Sequence, residues 1–217
     1  MGYFRELPNL QYQSPYSSRI SNATYITAKN IFRRMKIRDD LKNVFSIFNK
    51  YEIDDGDRPD TVARDLYGKS NLDWVVLITA NIINVRDEWP LSSKELYDFT
   101  VSKYGLKKIN DTKHYETTEV KNNRGVIIMP KGKIVDKDFS IPNPDLPETD
   151  AFIKPIRVVT NYEYESSENE KKRSISILRP IYLQQFLNDI RNEMTYKRSS
   201  QFINDKLIKT ENTRITN

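Results

Sequence analysis

Three helix-start signatures follow one another within residues 57–105, and they constrain the fold more than any other feature of the sequence. They are Asp57-x-x-Asp60 with Pro59 inside it, Ser70-x-x-Asp73 and Ser92-x-x-Glu95. Such pairs can satisfy backbone N–H groups that the first turn of a helix leaves without partners. Apolar residues at helical spacing follow each signature, and Gly68 and Gly105 stand where a helix-ending glycine is expected. We therefore predict three short helices in this segment.

Strand-forming segments lie on both sides of the first two predicted helices. Residues 44–53 mix aromatic and β-branched side chains with polar ones in rough alternation, and residues 82–85 are mostly β-branched. This pattern predicts a strand before the helices and a short closing strand after them. Together these elements indicate a small β-α-α-β unit with one added helix.

The second half of the chain shows shorter signals. Residues 114–120 and 126–129 flank a turn rich in Asn and Gly, which is typical of a β-hairpin, and a proline-rich loop follows at 141–147. Thr160-x-x-Glu163 indicates a helix, although residues 157–159 also fit a strand. Residues 174–178 alternate as a strand does. An amphipathic helix is predicted from the spacing of Leu183, Phe186, Leu187, Ile190 and Met194.

The two ends of the chain carry weaker patterns. Residues 1–20 lack helical and strand periodicity and indicate an extended arm, and residues 24–28 and 31–37 predict a pair of strands. The polar and basic tail, residues 195–217, is expected to dock on a partner or to fray.

These elements predict an α+β fold with extended termini. Four segments follow from the changes in pattern. They are an N-terminal arm with a basic strand region (1–43), the β-α-α-β unit with its added helix (44–105), a β-hairpin and proline-rich loop region (106–157), and a C-terminal strand and helix with a basic tail (158–217).

The residue types exclude several kinds of chemistry. The chain has no cysteine and one histidine, His114, so a disulfide framework, a thiolate nucleophile and a Cys-bearing metal site are ruled out. Neither a Gly-x-Ser-x-Gly elbow nor a phosphate-binding glycine loop is present. The acids at 54–60 fit a turn and a helix N-terminus better than a calcium loop. We therefore predict a protein that is not an enzyme and uses no cofactor, metal or small-molecule substrate.

The sequence contains no apolar run of membrane-spanning length and no signal-peptide pattern at its start. We therefore expect no membrane partner, and a protein that stays in the cytosol or in a particle assembled there.

The net charge of +5 is unevenly distributed. Residues 1–50 carry +6, residues 51–100 carry −6, residues 101–150 carry +1 and residues 151–217 carry +4. Basic ends around an acidic middle favour contacts between proteins over nucleic-acid binding, which more often gathers basic and aromatic residues into one stripe.

Several residues are candidates for a protein interface. Trp89, next to Pro90 in a connection, is predicted to be an exposed anchor. The cluster Lys171-Lys172-Arg173 is a candidate patch facing a partner, with a solvated helix end as the alternative explanation. Lys197 and Arg198 begin the basic tail that is expected to reach another subunit.

Residues 51–68, from the strand through the Gly-Asp turn to a helix with a Val-Ala pair and a terminal Tyr-Gly, resemble the opening of a LysM module. A longer match covers Arg58-Pro59-Asp60 through Leu66-Tyr67-Gly68, then Leu72 to Leu77, and the distal Asn169-Glu170-Lys171-Lys172-Arg173 with its strand and helix. These two blocks resemble the LysM-like baseplate wedge subunit of contractile-tailed bacteriophages of the T-even type.

The resemblance implies a structural protein of the virion, made late and assembled in the host cytoplasm into the tail baseplate. It implies that the chain completes wedges, links neighbouring wedge copies into a ring around the hub and contacts other wedge proteins, without a catalytic role. The alternative is a LysM-type module that binds peptidoglycan.

Overall fold

Helices and short strands alternate through the residues that the computed structural model describes, which are 2–13, 25–38, 46–145 and 151–210. The helices in these ranges are α1 (Tyr3–Glu6), α2 (Pro59–Tyr67), α3 (Asp73–Thr79), α4 (Val85–Glu88), α5 (Ser93–Tyr104), α6 (Asn161–Arg173) and α7 (Leu183–Glu193). Short 3₁₀ helices lie at Ser70–Leu72, Leu106–Lys108 and Pro180–Tyr182. The predicted α+β class is confirmed.

The strands are short and belong to several small sheets. Among the described residues they are β1 (Asn9–Gln13), β2 (Tyr25–Lys29), β3 (Phe48–Glu52), β4 (Thr112–Thr117), β5 (Val120–Lys121), β6 (Ile127–Met129), β7 (Ile134–Val135), β8 (Ile141–Pro142), β9 (Phe152–Ile153), β10 (Ile156–Thr160), β11 (Ser174–Leu178), β12 (Phe202–Asn204) and β13 (Leu207–Lys209).

The chain forms two compact units. Unit 1 combines residues 1–89 with residues 174–217, and unit 2 is the continuous segment 90–173. Unit 2 is therefore inserted, in sequence, between the two parts of unit 1. The division into four segments made from the sequence stays a prediction.

The core of unit 1 is built on α2, α3 and an antiparallel pair of strands, β3 and β11. Pro59 opens α2, where its missing N–H costs nothing, and Gly68 ends it with a positive φ of 71°. The buried apolar side chains come from these four elements, from α7, and from the residues that flank or connect the elements of this unit. They are Leu7, Phe48, Ile53, Val62, Ala63, Leu72, Trp74, Val75, Val76, Trp89, Ile175, Ile177, Leu178, Ile190 and Met194.

Two of the predicted helix starts differ from the structure. Arg58, not Asp57, precedes α2, and its side chain makes no capping hydrogen bond. Residues 70–72 form a 3₁₀ turn, so α3 begins at Asp73 without the predicted capping box. The third start is confirmed, because Ser92 and Glu95 form a complete capping box on α5.

The predicted closing strand at residues 82–85 is wrong. The Asn84 side chain accepts a hydrogen bond from the Arg86 N–H and caps α4 instead. The backbone N–H of Ile83 donates to the Glu88 carboxylate at 2.6 Å. The strand that pairs with β3 is β11, which follows unit 2 in the sequence. The resemblance of this region to LysM modules stays a prediction.

The two ends of the chain meet in one four-stranded sheet with the order β12-β13-β1-β2. Residues 3–6 and 9–13 were expected to be an extended arm, but they form α1 and β1. Strand β1 pairs in parallel with β13, and Asn9 is opposite Leu207. The tail was expected to dock on a partner or to fray, but its residues 202–204 and 207–209 form strands of this sheet. Residues 14–24 and 211–217 lie outside the described part of the chain.

One half of the predicted strand pair near the N-terminus is confirmed. Residues 25–29 form β2, which pairs with β1, whereas residues 31–37 form a turn and an irregular segment. That segment is anchored to α7, because the Arg33 guanidinium donates to the carbonyls of Met194 and Thr195 at 3.2 and 3.0 Å. These are carbonyls that the end of a helix leaves without intrahelical partners.

Unit 2 contains α5, α6 and a three-stranded sheet with the order β10-β4-β7. The predicted hairpin is confirmed at its turn, where β5 pairs with β6 and Gly125 has a φ of 78°. Its first strand is wrong over residues 114–117, because these belong to β4, which pairs with β10 and β7 instead. Both interpretations of residues 157–163 are right, because β10 continues directly into α6. The Thr160 hydroxyl accepts a hydrogen bond from the Glu163 N–H at 3.2 Å. The predicted strand 174–178 and the helix from Leu183 are confirmed in unit 1.

Candidate interaction surfaces

Three titratable side chains of unit 2 lie together on its three-stranded sheet. The single histidine, His114, places Nε2 3.0 Å from Glu116 Oε1, and Arg157 donates to the second oxygen of Glu116 at 2.9 Å. The hydrogen bonds from His114 and Arg157 lower the pKa of Glu116. Within the described ranges no three His, Cys, Asp or Glu side chains converge as a metal site would require. These groups therefore form an ion-pair cluster on the sheet.

Trp89 is buried, and the prediction of an exposed anchor is wrong. Its side chain is 7% exposed and belongs to the apolar core of unit 1. The indole N–H donates to the backbone carbonyl of Asp57 at 2.8 Å. A tryptophan beside a proline gives the same sequence pattern whether its ring faces the solvent or the core, so the sequence could not separate the two.

The basic cluster at residues 171–173 forms the last turn of α6. Lys171 forms an ion pair with Glu168, and Arg173 Nε lies 2.9 Å from Glu170 Oε1. The hydrogen bond that Lys171 donates to the Glu168 carboxylate raises the pKa of Lys171. Cations at this end of a helix are also favoured by the helix dipole. The cluster is partly balanced by its own helix, and its role as a patch facing a partner stays a prediction.

Helix α6 carries a buried polar stripe that was not predicted from the sequence. Asn161, Glu165 and Asn169 are spaced by four residues, so they share one helix face, and all three are buried. Lys103 and Tyr104 of α5 both donate to the Glu165 carboxylate at 2.7 Å. Burial raises the pKa of Glu165, but these hydrogen bonds outweigh it and the net pKa is lowered. Apolar periodicity gives no signal here because the buried face is polar.

Asn169 uses both polar groups of its side chain to bind one partner residue. Its side-chain amide pairs with the backbone of Leu91, accepting from the N–H at 2.7 Å and donating to the carbonyl at 2.9 Å. The Asn that opens the distal basic motif thus fixes the segment before α5. Its role is structural.

Replacing Asn169 with alanine is expected to lower the free energy of unfolding by about 1–3 kcal/mol, because both polar groups of Leu91 lose their partner. Denaturant unfolding followed by circular dichroism measures this change. Ser167→Ala, on the exposed side of the same helix, is the control and should stay within about 0.5 kcal/mol of the unchanged chain. Equal stability of both variants would contradict the structural role of Asn169.

The four-stranded sheet of unit 1 has one apolar face. Side chains directly opposite each other in paired strands lie on the same face of a sheet. By this rule the pairings place on one face Leu10, Tyr12, Ile26, Ala28, Phe202 and Ile208. None of the residues of these four strands is buried. A sheet of this size normally covers one apolar face, so this face is a candidate docking surface.

A second apolar surface lies on the hairpin of unit 2. Val126, Ile127 and Ile128 are consecutive and all exposed. Because neighbouring residues of a strand point to opposite sides, the hairpin presents apolar side chains on both faces. Residues 120–135 also carry four basic side chains and no acidic one, and one of the four, Lys121, forms a 2.7 Å ion pair with Glu119. We call residues 120–129 the apolar hairpin.

The predicted interface residues Lys197 and Arg198 lie in the segment between α7 and β12, and both are exposed. The Tyr196 N–H just before them donates to the Asp205 carbonyl at 2.8 Å, so this segment lies against the turn between β12 and β13. Their contact with a partner stays a prediction.

Comparison with known proteins places the chain in a family. No helix in the described ranges is long and apolar enough to cross a membrane. No curated protein matches the chain at a significant level. A family model described as base plate wedge protein 53 of bacteriophages matches residues 9–192, which is most of the 217 residues. The chain therefore belongs to the phage base plate wedge protein 53 family, and it is a structural protein of the tail baseplate in the virion, where it contacts other baseplate proteins.

Proposed function

We propose that this protein completes baseplate wedges and links neighbouring wedges into the ring around the hub during tail assembly. A linking protein needs at least two separate docking surfaces. The observation that carries the proposal is that each of the two units has an apolar surface of its own that is at least partly exposed. These are the apolar face of the four-stranded sheet in unit 1 and the apolar hairpin in unit 2.

The chemistry of these surfaces supports contacts with proteins. Monomeric proteins rarely expose contiguous apolar patches larger than roughly a few hundred Å², and patches above that size usually mark interaction sites. The basic residues around the hairpin favour partners with acidic surfaces and orient their approach. We propose the same role for Lys197 and Arg198 in unit 1 and for the Lys171-Lys172-Arg173 cluster in unit 2.

The test disrupts one surface at a time. Point changes are required because replacing the whole tail would remove β12 and β13 from the sheet. Ile127→Ser with Ile128→Ser alters the hairpin, and Tyr12→Ser with Ile26→Ser alters the sheet face. Each pair is expected to weaken docking of its own surface by about 30-fold or more. Sedimentation and electron microscopy of infected-cell lysates then measure the yield of complete baseplates.

We expect wedges to accumulate that contain the altered protein but do not close into complete baseplates. The matched control is Ile83→Ser with Ile181→Ser, two exposed apolar residues outside both surfaces, with a normal yield. A normal yield from both test pairs would contradict the proposal. If saturable sedimentation of the protein with purified peptidoglycan accompanied that result, the alternative of a glycan-binding module would be favoured.

A further inference from the structure

Phe32 is the most solvent-exposed large apolar side chain among the described residues, at 87% exposure. Its neighbour Ile31 is also exposed, at 64%. Both lie in the turn that follows β2. Burial of a phenylalanine or isoleucine side chain stabilises a fold by about 1.5–3 kcal/mol relative to exposure. The exposed pair therefore contributes none of this stabilisation to the fold.

The turn is nevertheless firmly held. The Phe32 N–H donates to the Asn30 side-chain oxygen at 3.2 Å, and the Asn30 amide donates to the Tyr196 hydroxyl at 2.9 Å. Next to it, the Arg33 guanidinium binds the end of α7 and lies 5.1 Å from the centre of the Tyr196 ring. An apolar pair on a fixed turn loses little conformational entropy on binding, which is the property of a preorganised anchor.

The surroundings of the turn are basic. Residues 25–40 contain five Lys or Arg residues and two acidic residues, a net charge of +3. Arg34 is exposed beside the apolar pair, and Tyr196, which holds the turn, is followed directly by the exposed Lys197 and Arg198. Phe and Arg are both enriched at protein interfaces relative to the rest of the surface.

We propose that Ile31 and Phe32 insert into an apolar pocket with an acidic rim on another baseplate protein, and that Arg34, Lys197 and Arg198 face that rim. This inference rests on the proposed linking function and names the chemistry of one partner. A protein partner fits better than nucleic acid, because an aliphatic side chain beside the ring suits a pocket, whereas stacking on bases uses aromatic platforms.

The experiment replaces Phe32 in the full chain by the photoreactive amino acid p-benzoylphenylalanine and illuminates purified virions. Mass spectrometry then identifies the cross-linked peptide. We expect a peptide of a different baseplate protein that is rich in Asp and Glu. Lys197→Glu with Arg198→Glu should lower the cross-link yield by about tenfold or more. The matched control, Lys107→Glu with Lys108→Glu in unit 2, makes the same change in charge and should leave the yield unchanged.

Three results would overturn the proposal. They are a cross-link to nucleic acid, a cross-link to a second copy of this chain, and no cross-link although the protein is present in the virion. Phe32→Ala provides an independent check: its unfolding midpoint should equal that of the unchanged chain, while its incorporation into baseplates should fall by about 30-fold. Normal incorporation of this variant would also reject the anchor. The sheet-face and hairpin variants do not alter Phe32, so failure of this inference leaves the linking function to be judged separately.

Discussion

We expect Trp89→Ala to lower the free energy of unfolding by about 3–5 kcal/mol, the cost of deleting a buried aromatic side chain. The ring lies in the core of unit 1, and its N–H satisfies the Asp57 carbonyl at the end of the acidic turn. The variant therefore loses apolar contacts and also a hydrogen bond that connects the end of α4 to the start of α2. Denaturant unfolding of the purified chain measures the change.

Trp89→Phe is the matched control for this prediction. It keeps most of the apolar ring but removes the indole donor, so the expected loss is about 1–3 kcal/mol. An exposed interface anchor would behave differently, because its removal would leave the stability of the isolated chain within about 0.5 kcal/mol and weaken only assembly. Unchanged stability of Trp89→Ala would therefore restore the interpretation that the sequence first favoured.

We expect Leu7→Ala to lower the free energy of unfolding by about 2–5 kcal/mol. Leu7 is 2% exposed in the core of unit 1. The preceding helix α1 also contacts the core of unit 1. The centre of the Tyr3 ring lies 5.7 Å from the centre of the Trp74 ring, and Glu6 forms a 3.0 Å ion pair with Arg191. A flexible arm would lack all three contacts.

Phe4→Ala tests the same segment on its exposed side. Phe4 is 64% exposed, so its replacement should change the stability by no more than about 0.5 kcal/mol. Thermal unfolding of the two variants, measured side by side, distinguishes a docked N-terminus from an arm. If both variants unfold like the unchanged chain, residues 3–7 contribute nothing to the core.

Local signals in the sequence predicted most of the elements that form through local contacts. The capping box of Ser92 and Glu95, the hairpin turn at Gly125 and the amphipathic spacing of α7 each depend on residues within a few positions of one another. Such patterns specify a helix or a turn whatever surrounds it. The α+β class followed from the same signals.

Long-range pairing accounts for most of the errors. Asn9 pairs with Leu207, and no pattern in either short segment indicates a partner so far along the chain. Likewise, β11 takes the place beside β3 that residues 82–85 were expected to fill. For the candidate surfaces, composition indicated where basic residues gather, whereas the exposure of Phe32 and the burial of Trp89 depend on tertiary packing. The spacing of apolar residues along the sequence predicts neither the exposure of Phe32 nor the burial of Trp89.

The order in which the chain leaves the ribosome gives the two units different folding histories. Unit 2 is continuous, so it can complete its contacts once residue 173 has emerged. Unit 1 has to wait, because β3 needs β11 and β1 needs β13, the last described strand. A shortened translation product that ends before residue 207 would therefore carry a folded insert within an incomplete host unit, and only chains that include β13 would have both candidate docking surfaces complete.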